Sequence, residues 1–116
     1  MSKTFEMKLQ SNPFERICSG EKTIEFRLND EKRSLLKIGD YIRFTEISDS
    51  ERKILVEIID IITASNFEAL EQKLVDMELL QKGDFSPAGM LEYYSAEDEN
   101  RYGVMGIRIK VRNAND

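Results

Sequence analysis

A chain of 116 residues can enclose one hydrophobic core but not two. Its 22 acidic residues outweigh 17 basic ones, and the net charge of -5 argues against a surface built to grip many phosphates. With no histidine, the usual base of serine and cysteine triads and the commonest zinc ligand are excluded; with one cysteine, so is an internal disulfide.

Phe5, Met7 and Leu9 alternate with Glu6 and Lys8, the period of a first strand. Asn12, Pro13 and Glu15 then have the chemistry of a helix start: asparagine caps, proline suits the first turn, and the glutamate completes a capping box. This helix is expected to bury Phe14, Ile17 and Cys18, and to stop at Gly20, which can adopt positive φ. Next, Ile24, Phe26 and Leu28 alternate with Thr23, Glu25 and Arg27 as a half-buried strand. If its apolar residues point inward, Glu25 and Arg27 share the opposite face. Residues 30–37 read as a short charged helix contacting the core through Leu35 and Leu36. After the Gly39-Asp40 turn, Ile42 and Phe44 mark a third strand; Asp49, Ser50 and Glu51 form a polar loop. Residues 53–63 then make a long, isoleucine-rich central strand.

Asn66 is placed to cap a helix through Phe67, Leu70, Leu74 and Val75. Ser86-Pro87 opens another, through Met90, Leu91 and Tyr94, and Ser95 with Asp98 forms a second capping box before a short acidic helix. Met105, Ile107, Ile109 and Val111 alternate with Gly106, Arg108, Lys110 and Arg112 in a final strand, leaving residues 113–116 as a tail. About five strands with short helices predict an α+β domain over residues 1–112: a compact, partly closed barrel, with an open sheet as the alternative. The start of the chain lacks a signal-peptide run, and the apolar stretch 54–62 is broken by Glu57 and Asp60, so no membrane span is expected and a cytoplasmic location follows.

The densest chemistry lies in Gly20-Glu21-Lys22-Thr23-Ile24-Glu25-Phe26-Arg27, a G-x-K-x-x-E-x-R pattern. Lys22 is either a cation or base facing a ligand, or a surface lysine opening a strand. Glu25 is either a general base or acceptor, or one half of a structural ion pair with Lys22 or Arg27. Arg27 suits an anion clamp and would equally hold Glu25 in place. Thr23 and Asn12 are weaker ligand candidates, reading first as strand support and cap. Tyr93, Tyr94 and Tyr102 read as core residues, with base stacking as the functional alternative. A small basic groove would draw on Lys22, Arg27, Lys32, Arg33, Arg43, Arg108 and Arg112, since residues 54–100 hold 2 basic against 11 acidic groups; a mixed, solvated surface is the alternative and the reading taken for most of them. Nothing in the spacing of the acids argues for a metal or any other cofactor.

Four segments in order resemble the ASCH (activating-signal-cointegrator homology) domain family of the PUA-like superfamily. They are the Asn-Pro-Phe helix leading to Ser19-Gly20, the Lys22-Glu25-Arg27 motif, the run from Lys37 to Phe44, and the ending from Tyr94-Ser95 to Tyr102-Gly103-Val104-Met105-Gly106-Ile107. The resemblance implies a PUA-like small β-barrel of about five to six strands flanked by short helices, with RNA or a nucleotide- or nucleoside-like ligand in a cleft lined by the motif strand. A small bacterial branch resembles amidohydrolases that deacetylate N4-acetylcytidine through the motif lysine, a threonine three residues on and a distant glutamate. Lys22 matches the lysine, Glu25 stands in the threonine's place, and Glu78 and Asp84 lie in the region of the glutamate. Lys22 and Glu25 would be the catalytic pair of such an enzyme.

Overall fold

The structure, a computed structural model, describes residues 2–115, with side chains through Arg112. Among them are five strands and three α-helices: β1 (Thr4–Leu9), α1 (Ser11–Cys18), β2 (Ile24–Leu28), β3 (Tyr41–Glu46), β4 (Asp49–Ala64), α2 (Phe67–Asp76), α3 (Ala96–Tyr102) and β5 (Val104–Asn115). The strands form one sheet in the order β1-β3-β4-β5-β2. The class is α+β, as the sequence pattern implied.

The chain divides into two compact units, one of Met1–Glu25, Leu36–Ile61 and Ile107–Asp116, the other of Phe26–Leu35 and Ile62–Gly106. In the first unit β1 runs parallel to β3, pairing Thr4 with Tyr41 through Leu9 with Glu46. β3 is antiparallel to β4, with a bulge between Thr45 and Glu46. Alternation works here as read: Ile42, Phe44, Ile54, Val56 and Ile58 are fully enclosed, joined by Phe14 and Ile17 from α1. The hairpin turn falls at Ile47-Ser48, because Glu46 pairs with Asp49, so the expected polar loop at 49–51 is the opening of β4.

Helix α1 begins at Ser11 with Gln10 as N-cap, and Asn12 is therefore inside the helix, exposed and not its cap. Pro13 explains the shift. The first N–H with an acceptor inside the helix is that of Phe14, bonded to the Gln10 carbonyl at 3.1 Å, so a proline at the third position loses nothing. Glu15, instead of closing a capping box, pairs with Arg52.

In the second unit α2 is capped as read, with the Ala69 N–H donating to Asn66 Oδ1 at 2.8 Å, and it buries Phe67, Leu70 and Leu74. Ser95 caps α3 by accepting from the Asp98 N–H at 3.1 Å. Two expected helices shrink to 3-10 turns, Arg33–Leu35 and Ala88–Glu92. In the first, Asp30 accepts from both the N–H and the guanidinium of Arg33 at 2.9 and 2.6 Å, a local ring that competes with a longer helix; Leu36 is buried but Leu35 is exposed. In the second, Ser86 Oγ accepts from the Gly89 N–H at 3.0 Å, and Tyr94 lies beyond the turn. β5 continues as strand backbone to Asn115, so residues 113–115, expected as a tail, belong to the strand, and Asp116 lies outside the described residues.

Candidate functional site

The motif begins where α1 ends. Gly20 has φ of 84°, a region costly to side-chain-bearing residues, and lets the Ser19 and Gly20 N–H groups turn back to the Glu15 and Ile17 carbonyls at 3.0 and 3.1 Å. The Lys22 N–H then reaches the Arg16 carbonyl at 2.9 Å, and the Thr23 carbonyl accepts from the Ile109 N–H of β5 at 2.9 Å. The three residues before β2 are thus fastened on one side to α1 and on the other to β5.

This geometry brings together two of the sequence-derived candidates. Lys22 Nζ lies 3.3 Å from Glu25 Oε1, and the two side chains retain 14% and 5% of their exposure. Lys22 precedes β2, so strand parity does not govern it and the turn directs it to Glu25. Glu25 lies on the face opposite the isoleucine, as expected, but it is buried where an open face was expected; Ile24 and Glu25 are both enclosed because both faces of β2 are covered there. An ion pair this enclosed bears a desolvation cost that neither partner alone could offset.

Arg27 is half-buried two residues beyond Glu25 in β2, at the same strand parity. Thr23 points its side chain to solvent and contributes its carbonyl. Tyr94, in the second unit, is half-buried with its ring stacked near Phe67, centroids 6.0 Å apart. Tyr93 is exposed, and Tyr102 lies under the Arg101 guanidinium. Glu78 and Asp84 are exposed. Of the arginines assigned to a basic groove, four meet carboxylates: Arg33 with Asp30, Arg43 with Glu6, Arg108 with Asp60 and Arg112 with Glu57. That matching fits a mixed surface, the alternative to a groove.

Three features escaped the sequence reading. Asp40 is buried, its carboxylate accepting from the Lys3 and Lys37 N–H groups at 3.0 and 3.2 Å. Glu46 is buried, held by Ser48 Oγ at 2.5 Å and Arg52 at 2.9 Å; its parity with Ile42 and Phe44 was the available signal. Glu99, within the short acidic helix, accepts from the Phe67 N–H at 2.8 Å and so ties α3 to the start of α2. Among the described residues no group of three histidine, cysteine, aspartate or glutamate side chains is arranged to hold a metal, and no helix is long and apolar enough to cross a membrane.

A family model described as the ASCH domain matches residues 7–112. The crystal structure of a protein designated PH0355 is similar at a TM-score of 0.74 and 34% identity, covering 94% of this chain and 99% of that one. The solution structure of protein PF0455 from Pyrococcus furiosus gives 0.65 and 28%, covering 93% and 96%. ASCH from Zymomonas mobilis shares the fold at 0.65 with 14% identity, over 97% of this chain and 73% of its own. No curated protein matches the chain.

Proposed function

The chain belongs to the ASCH domain family, a group of PUA-like domains proposed to bind RNA, and from that membership we propose that it binds RNA or a nucleotide- or nucleoside-like ligand through the G-x-K-x-x-E-x-R motif. The observation that carries the reading is the enclosed Lys22–Glu25 pair at 3.3 Å, built on a turn fastened at both ends. In this role Glu25 positions the ammonium, and Lys22 addresses a phosphate or carbonyl oxygen through the part of it that stays open. Arg27 is the motif's second cation and suits a bidentate contact with an anion. With a net charge of -5 and four other arginines matched by acids, the ligand is compact: one end of an RNA, or a single nucleotide, rather than a long phosphate track.

The test is binding of short single-stranded RNA and of nucleoside monophosphates, titrated against salt. Two cations on a single strand predict a shallow slope, about -1.4 in log K against log salt. Lys22→Gln, checked for retained fold by circular dichroism, is expected to weaken binding about tenfold, and Arg27→Gln by a similar factor. An absence of binding by the unaltered protein, or binding indifferent to Lys22→Gln, refutes the reading. Release of cytidine from N4-acetylcytidine faster than in a Lys22→Ala control would replace it with hydrolysis.

A further inference from the structure

We propose that Phe26 is the floor of a base-stacking site, and that Phe85 occupies this site as a stand-in for the base when no ligand is bound. The inference rests on the reading of the chain as an RNA or nucleotide binder and adds where the base sits. Within the second unit the two rings lie face to face, with centroids 3.9 Å apart and planes inclined by 12°, and both are half-buried. Phenylalanines packed in a core usually meet offset or edge-on, with centroids about 4.5–7 Å apart. Phe67 does so, meeting Phe85 and Tyr94 at 6.0 Å each. The Phe26–Phe85 pair instead has the geometry by which a base lies on an aromatic side chain in single-strand binders.

Phe85 is also the ring that can leave. It comes from the stretch between α2 and the Ala88–Glu92 turn, which is neither helix nor strand. Gly83 there has φ of 96°, and its N–H reaches Glu71 Oε2 at 3.4 Å, the long end of the hydrogen-bond range. Withdrawing Phe85 therefore rotates a short irregular segment and melts no regular element. Phe26 cannot leave in the same way, because it is fixed in β2, one residue after Glu25. A separation of 3.9 Å leaves no space for a third ring, so a base must replace Phe85 and cannot slide between the two. Stacking of two phenylalanines and stacking of a base on one are of similar strength, which keeps the exchange close to balance.

The probe is a short single-stranded RNA carrying 2-aminopurine, whose fluorescence falls when the base stacks, with ribose 5-phosphate as a base-free control. Phe85→Ala removes the stand-in and is expected to tighten RNA binding by about three- to tenfold, leaving ribose 5-phosphate unaffected. Phe26→Leu keeps an apolar side chain but removes the flat face; it is expected to weaken binding about tenfold and abolish the quenching. If Phe26→Leu unfolds the chain, Phe85→Trp takes its place: indole emission should shift on RNA binding, and emission unmoved at saturation overturns the proposal. Weaker binding by Phe85→Ala overturns it as well, since Phe85 would then be a wall of the site. Binding that requires Lys22 but ignores both phenylalanine variants overturns this inference alone, whereas absence of binding by the unaltered protein removes the reading beneath it.

Discussion

Breaking the Lys22–Glu25 pair from either end should have unequal consequences. At 3.3 Å and an effective dielectric constant of about 20, the attraction is about 5 kcal/mol, set against a desolvation cost of several kcal/mol for each ion. The pair as a whole is therefore close to break-even, and the damage comes from removing one member while the other stays enclosed. Lys22→Met removes the ammonium at 3.3 Å from a Glu25 carboxylate only 5% exposed, and should cost about 3 kcal/mol. Glu25→Gln removes the carboxylate from an ammonium that keeps 14% exposure and can draw in water, and should cost about 1–2 kcal/mol. The double variant should lose about 2 kcal/mol less than the sum of the singles. Urea denaturation with linear extrapolation measures all three, and Lys22→Met should lower the melting temperature by roughly 10 °C. Additive losses, or a larger loss from Glu25→Gln than from Lys22→Met, would refute the account of an enclosed, mutually dependent pair.

Gly20→Ala should cost about 1 kcal/mol in thermal denaturation, because the new Cβ meets open space and only the positive φ is penalised. Gly103→Ala should cost distinctly more, since φ of 73° is combined with a Cβ placed 3.0 Å from the Ala64 carbonyl oxygen. Arg52→Ala removes the partner of buried Glu46, of Glu15 and of the Phe14 ring, and should cost about 2–3 kcal/mol in urea titration; Arg43→Ala, at an exposed pair with Glu6, should cost under about 1 kcal/mol. Asn66→Ala should lose about 1 kcal/mol and Asn66→Asp almost nothing, as either oxygen accepts from the Ala69 N–H.

What the sequence made legible was local. Strand faces in β1 and β3 followed side-chain alternation; β5 followed it only from Ile107 to Lys110, with Val104 and Gly106 also enclosed and Val111 exposed. The caps Asn66 and Ser95 followed from bonds spanning three residues. Alternation assigns a face but not what covers that face, which is why Glu25 was placed correctly along β2 and incorrectly with respect to solvent. Glu46 shows the converse: its parity with Phe44 indicated burial, but no rule of spacing reveals that Arg52, across the hairpin, would meet it. Asn12 failed for a different reason. The first turn tolerates proline at more than one position, so Pro13 fixed the neighbourhood of the helix start and not the residue. The stack of Phe26 on Phe85 joins residues far apart in the chain through an irregular segment, and such a segment has no period to read.

The hydrogen bond from Ile109 to Thr23 also sets an order of events during synthesis. The turn bearing Lys22 leaves the ribosome early, but the strand that latches it is made some eighty residues later, and β1 likewise waits for β3. A nascent chain halted before β5 would hold the motif turn by its bond to α1 alone. The motif turn therefore takes its final place only after translation has passed Ile109, and a contact of such long range is expected to close slowly.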